Sequence, residues 1–546
     1  MISDLFANPF QDPSVAVLIV SGLVGGVLGR LAYVMLRPRD ENTAFWTSLV
    51  VAAVATVLGL FTLAYGPLLL LSIAALVRFG PRVPRRSRIA AAIVLVAVVV
   101  AYVGLPVTDN LTNPITISAV ANHFAYDDKD LLTNNDFLVG WMAGARDVQS
   151  RWQDYWKNVL TKDFAQLAGR GAGAPGLSPI NYYRPVIALS YMLDTFFWGR
   201  TQKWHEFAKS GARSELKWER LNPVGFHLTN VLVHALNSLL VFLLVRSLCR
   251  RHWVALAAGV LFAVHPIHTE SVTWIAGRTD VMATTFYLAA FWCYVRFRNS
   301  GSSGALAGGI TLALVAALTK EMALPLGVVL LAYELVRFVA RRRGAGDLHL
   351  PARPVWLRES RPGERLAVAC AIAVAGFTVL GAVVYFAVKS GVVVTGAGPV
   401  PQEGGPWLDL ETGKTIAFFK IFFAFLHAGF WYLGKAIFPL PLNIYPSIPW
   451  TAPVVGVLLL LGHLAVAAAP VALLFVWKQG RLLALAVLGF YVSLAPLSCL
   501  LEGMRLLRFS EDVDFPVSER FLYLPSFYIC LALAWLIAYQ LPRWIP

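Results

Sequence analysis

Charge is what this chain has least of. Only 14% of its 546 residues are charged and 58% are hydrophobic, against about a quarter charged in an ordinary soluble domain. Apolar runs of about 18 or more residues recur along most of the length, which excludes a single anchor on a soluble body. Acids are scarcer than bases, 31 against 46, leaving a net charge of +15. In a soluble chain that surplus would suggest nucleic acid. Here the bases fall in short segments between apolar runs: Arg82, Arg85, Arg86 and Arg88; Arg246, Arg250 and Arg251; Arg296 and Arg298; Arg341, Arg342 and Arg343. Such clustering is the positive-inside pattern of cytoplasmic loops, so no nucleic-acid partner is expected. The five cysteines show no C-x-x-C spacing, which argues against a disulfide framework or a thiolate metal site. No basic n-region precedes the first apolar run, so no cleavable signal peptide is expected. Tandem repeats and low-complexity tracts are missing too.

What is present reads as an all-α polytopic membrane protein with about 12 to 14 membrane segments. The first span covers about 13–35. Residues 45–78 form a tight helical pair or a re-entrant hairpin, interrupted at Gly66-Pro67. A span near 89–107 leads into a long extracytoplasmic segment, 108–225, in which the i, i+4 pair Trp152 and Trp156 suggests an amphipathic helix at headgroup depth. Further spans are expected near 226–248, 254–272, 280–297, 305–320, 322–340, 366–388, 453–477, 482–500 and 521–541. A polar external segment covers 389–415, and residues 416–438 are either re-entrant or interfacial. Three regions follow: extra N-terminal membrane segments (1–87), a main transmembrane unit (88–541) and a short tail (542–546).

Polar groups in such a chain must be solvated, paired or used. Tyr126-Asp127-Asp128 lies just beyond an apolar helix, with Asp130 and Asp136 following. His227, Asn230, His234 and Asn237 line one face of an apolar helix, where interhelical hydrogen bonding is the plain reading for the deeper pair. His265-Pro266-Ile267-His268-Thr269-Glu270 closes the next span, with Pro266 breaking the helix. A zinc site there lacks the H-E-x-x-H pattern and an obvious further ligand; a divalent metal is possible but not indicated, and no cofactor is assigned. Arg184, Arg278, Lys320 and Arg520 stand at external helix ends against the positive-inside trend, with Asp280, Glu321 and Glu519 nearby in sequence. Ion pairing is the plain reading; an anionic ligand is the functional one, since arginine forks suit phosphate oxygens. Acids and cations on one surface, with aromatics at headgroup depth, suit sugar transfer from a polyprenyl-phosphate sugar.

The order of the motifs resembles the transmembrane O-mannosyltransferases targeting cadherins, of the GT-C superfamily. The motifs are Asp127-Asp128, Tyr183-Arg184-Pro185, the run from Asn222 to His234, the run from Leu261 to Val272, Gly277-Arg278-Thr279-Asp280, Lys320-Glu321 and the run from Ser518 to Ser526. The resemblance covers about residues 88–541. It implies a GT-C-type helical core and an inverting enzyme that takes sugar, a mannose-like hexose, from a polyprenyl phosphate at the extracytoplasmic face. Asp127 then matches the general base and Asp128 a helper. Arg184, His227, His265, His268, Glu270, Arg278, Asp280, Lys320, Glu519 and Arg520 are the donor phosphate or sugar-binding candidates.

The cadherin-directed enzymes carry a tetratricopeptide array that residues 1–546 do not contain, so a different acceptor is expected, a protein Ser or Thr before a lipid or glycan. The arginine- and alanine-rich composition suggests a bacterial inner-membrane relative, working on the periplasmic side with undecaprenyl rather than dolichyl phosphate. Two other classes compete: a polyprenyl-sugar transporter or flippase, expected to place its charges at the bilayer midplane, and a catalytically silent scaffold.

Overall fold

The computed structural model describes residues 85–103, 107–109, 113–115, 184–197, 223–249, 251–350, 418–439, 442, 447–448, 453–494 and 515–539. Asp127, Asp128, the paired segment 45–78, the Trp152–Trp156 helix and the 366–388 span all lie outside those residues. The described fold is helical, as expected of an all-α membrane protein. Only two short two-stranded ladders accompany the helices: β1 (Val107–Asp109) with β2 (Asn113–Ile115), and β3 (Ser447–Ile448) with β4 (Phe515–Pro516), both antiparallel.

In chain order the helices are α1 (Arg85–Val98), α2 (Pro185–Phe197), α3 (Pro223–Cys249), α4 (His252–Val264), α5 (Thr269–Thr273), α6 (Arg278–Ser300), α7 (Ser303–Thr319), α8 (Leu326–Arg343), α9 (Phe418–Ile437), α10 (Pro453–Val476), α11 (Arg481–Leu494) and α12 (Ser526–Tyr539). Among the described residues, three stretches are long and apolar enough to cross a membrane: Pro223–Cys249, Glu321–Arg343 and Val454–Val476. The central helix α3 packs on α1, α4 and α6, while α12 joins α4 to α11. Its apolar surface runs almost all round, as in a helix buried on every side.

Local chemistry sets the ends. Gly301, at φ +75°, takes the left-handed cap of α6, and its N–H returns to the Phe297 carbonyl at 2.7 Å. A side chain would be strained there. Ser302 then caps α7, its Oγ accepting the Ala305 N–H at 3.3 Å, so α6 and α7 turn back on each other within two residues. They pack closely because Gly309 faces the Ala290 carbonyl, which a Cβ would approach to 3.4 Å.

The expected 254–272 span is shorter than its apolar run. α4 stops at Val264, because Pro266 lacks an N–H and the chain enters a single 3₁₀ turn, Pro266–His268. At 13 residues α4 is roughly 20 Å long, less than the hydrocarbon thickness of about 30 Å. The described part of 416–438 is a helix, α9. Its last turn meets His265 and Glu519, and its middle packs on His463 of α10. The end of α10 lies at the opposite pole, where Arg343 donates to the Phe475 carbonyl at 3.0 Å. α9 and α10 therefore run in opposite directions, α9 packing along α10.

The arginine-rich pole is fastened by its own polar contacts. Arg298 grips Glu334 through two hydrogen bonds, 2.7 and 2.9 Å, joining α6 to α8. Past α8, Gly346 has φ +61°, and a Cβ there would lie 1.7 Å from the Lys478 carbonyl oxygen. That close approach delivers Asp347 to the start of α11. It accepts the Leu482 N–H at 3.2 Å and the Trp535 Nε1–H at 2.9 Å, capping one helix while holding another. Burial pushes the Asp347 carboxyl up to about 7, against the donors that favour its charged form. A folded-state value above the ordinary 3.8 means this group's stabilisation is complete at acid pH and is lost as pH rises towards 7. In detergent thermal unfolding between about pH 4 and 8, Asp347→Asn should flatten that loss. Asp347→Ala should cost about 1–3 kcal/mol by orphaning buried donors.

Candidate functional site

The opposite pole gathers the polar motifs, and the stripe on α3 organises it. Asn230 is fully buried, and its Nδ2 reaches the carbonyls of Val272, Trp274 and Ile275 at 3.3, 2.9 and 3.4 Å. It thereby secures the turn between α5 and α6. Gly277 in that turn passes so near α5 that a Cβ would sit 2.5 Å from the Ser271 carbonyl oxygen. Deeper, the Tyr523 hydroxyl lies 2.6 Å from His234 Nδ1 and accepts the Asn237 Nδ2–H at 3.1 Å, while His234 Nε2–H faces the Ala263 carbonyl at 3.1 Å. Asn237 also donates to the Val281 carbonyl at 2.8 Å. The deeper pair performs the interhelical bonding expected of it. His227 is buried in the first turns of α3.

The ion pairs cross between elements. Arg278, Lys320 and Arg520 have acids beside them in sequence, yet each pairs elsewhere; for Arg278 this follows from α6, where side chains two positions apart point away from each other. Arg278 pairs with Asp194 of α2. Asp280 takes Lys320 at 2.8 Å. Glu321 takes Arg184 at 3.2 Å. Glu519 takes Lys435 of α9 at 3.0 Å. Arg520 lies 3.9 Å from Glu270. These five pairs bind α2, α5, α6, α9 and the turns at 320 and 519 into one charged layer.

Their environments differ. Arg278 has no exposed surface; its Nε donates to Asn230 Oδ1 at 2.8 Å and its Nη2 to the Phe226 carbonyl at 2.7 Å, with the guanidinium 4.8 Å from the Tyr191 ring centre. Lys320 and Asp280 are each 4% exposed. Arg184 is 11% exposed and Arg520 25%, the most open of the five paired cations. The Arg520 guanidinium stands 5.0 Å from the Trp274 ring centre and 5.4 Å from that of Phe521, within cation–π range.

The histidines fix the break after α4. His265 accepts the Ile267 N–H at Nδ1 and meets the Ala436 carbonyl through Nε2 at 3.1 Å. His268 Nε2 is 2.6 Å from Ser526 Oγ, whose own proton goes to the Tyr523 carbonyl. Among the described residues no group of three or more His, Cys, Asp or Glu is arranged to hold a metal ion. Glu270 accepts the Arg520 N–H at 2.9 Å and the Ser518 hydroxyl at 3.3 Å. Burial raises its carboxyl above the ordinary value, while the Arg520 charge and N–H pull it back.

Sequence reasoning missed Asp194, Lys435 and Tyr523. Asp194 and Lys435 are isolated charges inside apolar helices, a signal that marks any such residue for inspection. Tyr523 carried no signal of its own within its motif. Asp194→Asn should leave Arg278 buried against a neutral partner and cost about 3–5 kcal/mol. Fluorescence-detected size exclusion should show loss of folded protein. Partial recovery is expected when Arg278→Met is added, and wild-type yield from Asp194→Asn alone would contradict a structural role for the Arg278–Asp194 pair.

Residues 201–359 match the family described as dolichyl-phosphate-mannose-protein mannosyltransferase. The chain is 34% identical over 201 residues to protein O-mannosyl-transferase Tmtc1 of Drosophila melanogaster, covering 37% of this chain and 19% of that protein. It is 32% identical over 220 residues to Tmtc2 of the same organism, covering 39% and 20%. It is 33% identical over 167 residues to human TMTC3, covering 29% and 18%. The chain thus spans about a fifth of the length of the curated relatives it matches. No solved structure matches it. The matched segment holds α3 to α8, and with them His227, His265, His268, Glu270, Arg278, Asp280 and Lys320.

Proposed function

We propose that the protein is an inverting glycosyltransferase that moves mannose from a polyprenyl phosphate to an acceptor hydroxyl, a protein Ser or Thr, at the extracytoplasmic face. The observation that carries this reading is a coincidence of position: the family domain at 201–359 holds one side of most of the crossed ion pairs described above. Arg184, Glu519 and Arg520 lie outside the matched residues, yet pairing draws Arg184 and Arg520 onto them.

In this mechanism Asp127 removes the acceptor hydroxyl proton, and the oxygen attacks the anomeric carbon from the face opposite the phosphate. The bond from that carbon to the phosphate oxygen breaks, and its electron pair leaves with the polyprenyl phosphate. Asp128 assists Asp127. Arg520 and Arg184, the two more exposed arginines, carry the charge that develops on the leaving phosphate. Arg278 and Lys320 hold the frame through Asp194 and Asp280, and His227, His265, His268, Glu270 and Glu519 shape it. The donor is the undecaprenyl or dolichyl type according to the host membrane, for which a bacterial inner membrane with a periplasmic site is the reading.

Transfer of labelled mannose from a polyprenyl-phosphate donor tests this directly. Asp127→Asn should lower the rate about 10²–10⁴-fold, the usual worth of a positioned base. Arg520→Gln should fold normally and lose about 10²–10³-fold, as for a lost charge-stabilising donor. An unaltered rate with Asp127→Asn would sink the base assignment. Mass spectrometry of the labelled product separates a Ser or Thr acceptor from a lipid or glycan.

A further inference from the structure

The 3₁₀ turn Glu519–Leu522 carries two adjacent charges that are pulled in opposite directions. Arg520 faces α5: its N–H donates to Glu270 Oε2 at 2.9 Å, and its guanidinium lies over Trp274. Glu519 faces α9, where Lys435 Nζ lies 3.0 Å away. One residue earlier, the Ser518 N–H donates to the Tyr432 hydroxyl at 3.1 Å, and the Ser518 Oγ–H donates to Glu270 Oε1 at 3.3 Å. Tyr432 and Lys435 are three apart on α9 and share a face. The next residue, Ala436, offers its carbonyl to His265 Nε2 at 3.1 Å. The last turn of α9 therefore grips Ser518 at the entry to the turn, Glu519 within it and His265 at the break after α4.

α9 lies outside the matched segment 201–359. Lys435 is a cation near the end of a helix rich in Phe, side chain 10% exposed, with its ammonium 5.4 Å from the Trp431 ring centre. Burying an ammonium beside hydrocarbon is expensive. A methionine or leucine would pack there without that cost if the helix had only to fill space. What the lysine adds is direction: it fixes Glu519 towards α9, and so turns the next residue, Arg520, the other way.

We propose that Lys435, with Tyr432, is a positioning residue for Arg520: the grip of α9 on Ser518 and Glu519 sets the Arg520 N–H and guanidinium against Glu270 and Trp274. The proposal rests on the reading of Arg520 as a donor-phosphate ligand for its effect on transfer, but not for its effect on the turn.

Two measurements on the full-length protein in detergent decide it. Hydrogen exchange of the 518–522 amides reads the turn without any substrate. Lys435→Met should speed it, Tyr432→Phe should speed it to a smaller degree, and Lys435→Arg should leave it near wild type. Mannosyl transfer from a polyprenyl-phosphate donor reads the consequence. Lys435→Met should lower kcat/KM roughly tenfold, the scale of coupling between side chains in one network. It should cost almost nothing further when Arg520→Gln is already present. Additive losses in the two backgrounds, or unchanged exchange with Lys435→Met, would overturn the proposal. If Lys435→Met folds too poorly to measure, Tyr432→Phe, which removes the acceptor of the Ser518 N–H and keeps the ring, carries both measurements. A wild-type protein that transfers no mannose defeats the donor reading instead, while exchange still decides whether α9 sets the turn.

Discussion

Each of the five ion pairs at the site pole joins elements that are distant in sequence, and none joins the charges that stand side by side in it. Beside hydrocarbon an unmatched charge is costly, so each of these residues has a strong demand for one partner of opposite sign. Crossing the partners turns that demand into geometry. Asp280 cannot take Lys320 unless α6 and the turn after α7 meet, and Glu321 cannot take Arg184 unless α2 arrives beside them. The layer is then a set of mutual conditions: satisfying one pair brings the elements of the next within reach.

Within that layer, burial separates framework from reach. Arg278 spends its guanidinium on Asp194, Asn230 and a carbonyl, so its role is to hold three helices together. Arg520 keeps more of its surface and rests on the aromatic faces of Trp274 and Phe521. A weakly hydrated, planar cation on aromatic supports is suited to a phosphate oxygen. The same residue type at the same pole thus stands in two different environments, told apart by exposure rather than identity.

The helical class and the positions of α3, α6, α7 and α8 were legible from apolar run length, and the meeting of Arg184, Arg278, Lys320 and Arg520 at one pole from the placement of those cations. Pro266 announced the break after α4 for a reason internal to the residue, its missing N–H. The pairing scheme was not legible. Local spacing favoured Arg278 with Asp280 and Lys320 with Glu321, whereas the true partners are chosen by helix packing, which a one-dimensional pattern does not contain. Lys435 and Asp194 stayed hidden for the same reason: each was visible as an isolated charge, but its meaning depends on what stands across from it. The direction of α9 was not legible in 416–438 and follows from the contacts of α9 with His265 and His463 and of the end of α10 with Arg343.

Asp347 caps a helix that begins 134 positions later than itself, at Arg481, and shares its carboxylate with Trp535 near the end of the chain. During synthesis the loop after α8 therefore emerges long before anything exists for it to fasten to. Until α11 is made, the buried acid has no Leu482 N–H and the Gly346 turn has no Lys478 carbonyl to pass; until α12 follows, it has no Trp535 donor. The latch therefore closes in two stages, and a chain interrupted before Trp535 leaves it half made at the pole opposite the site.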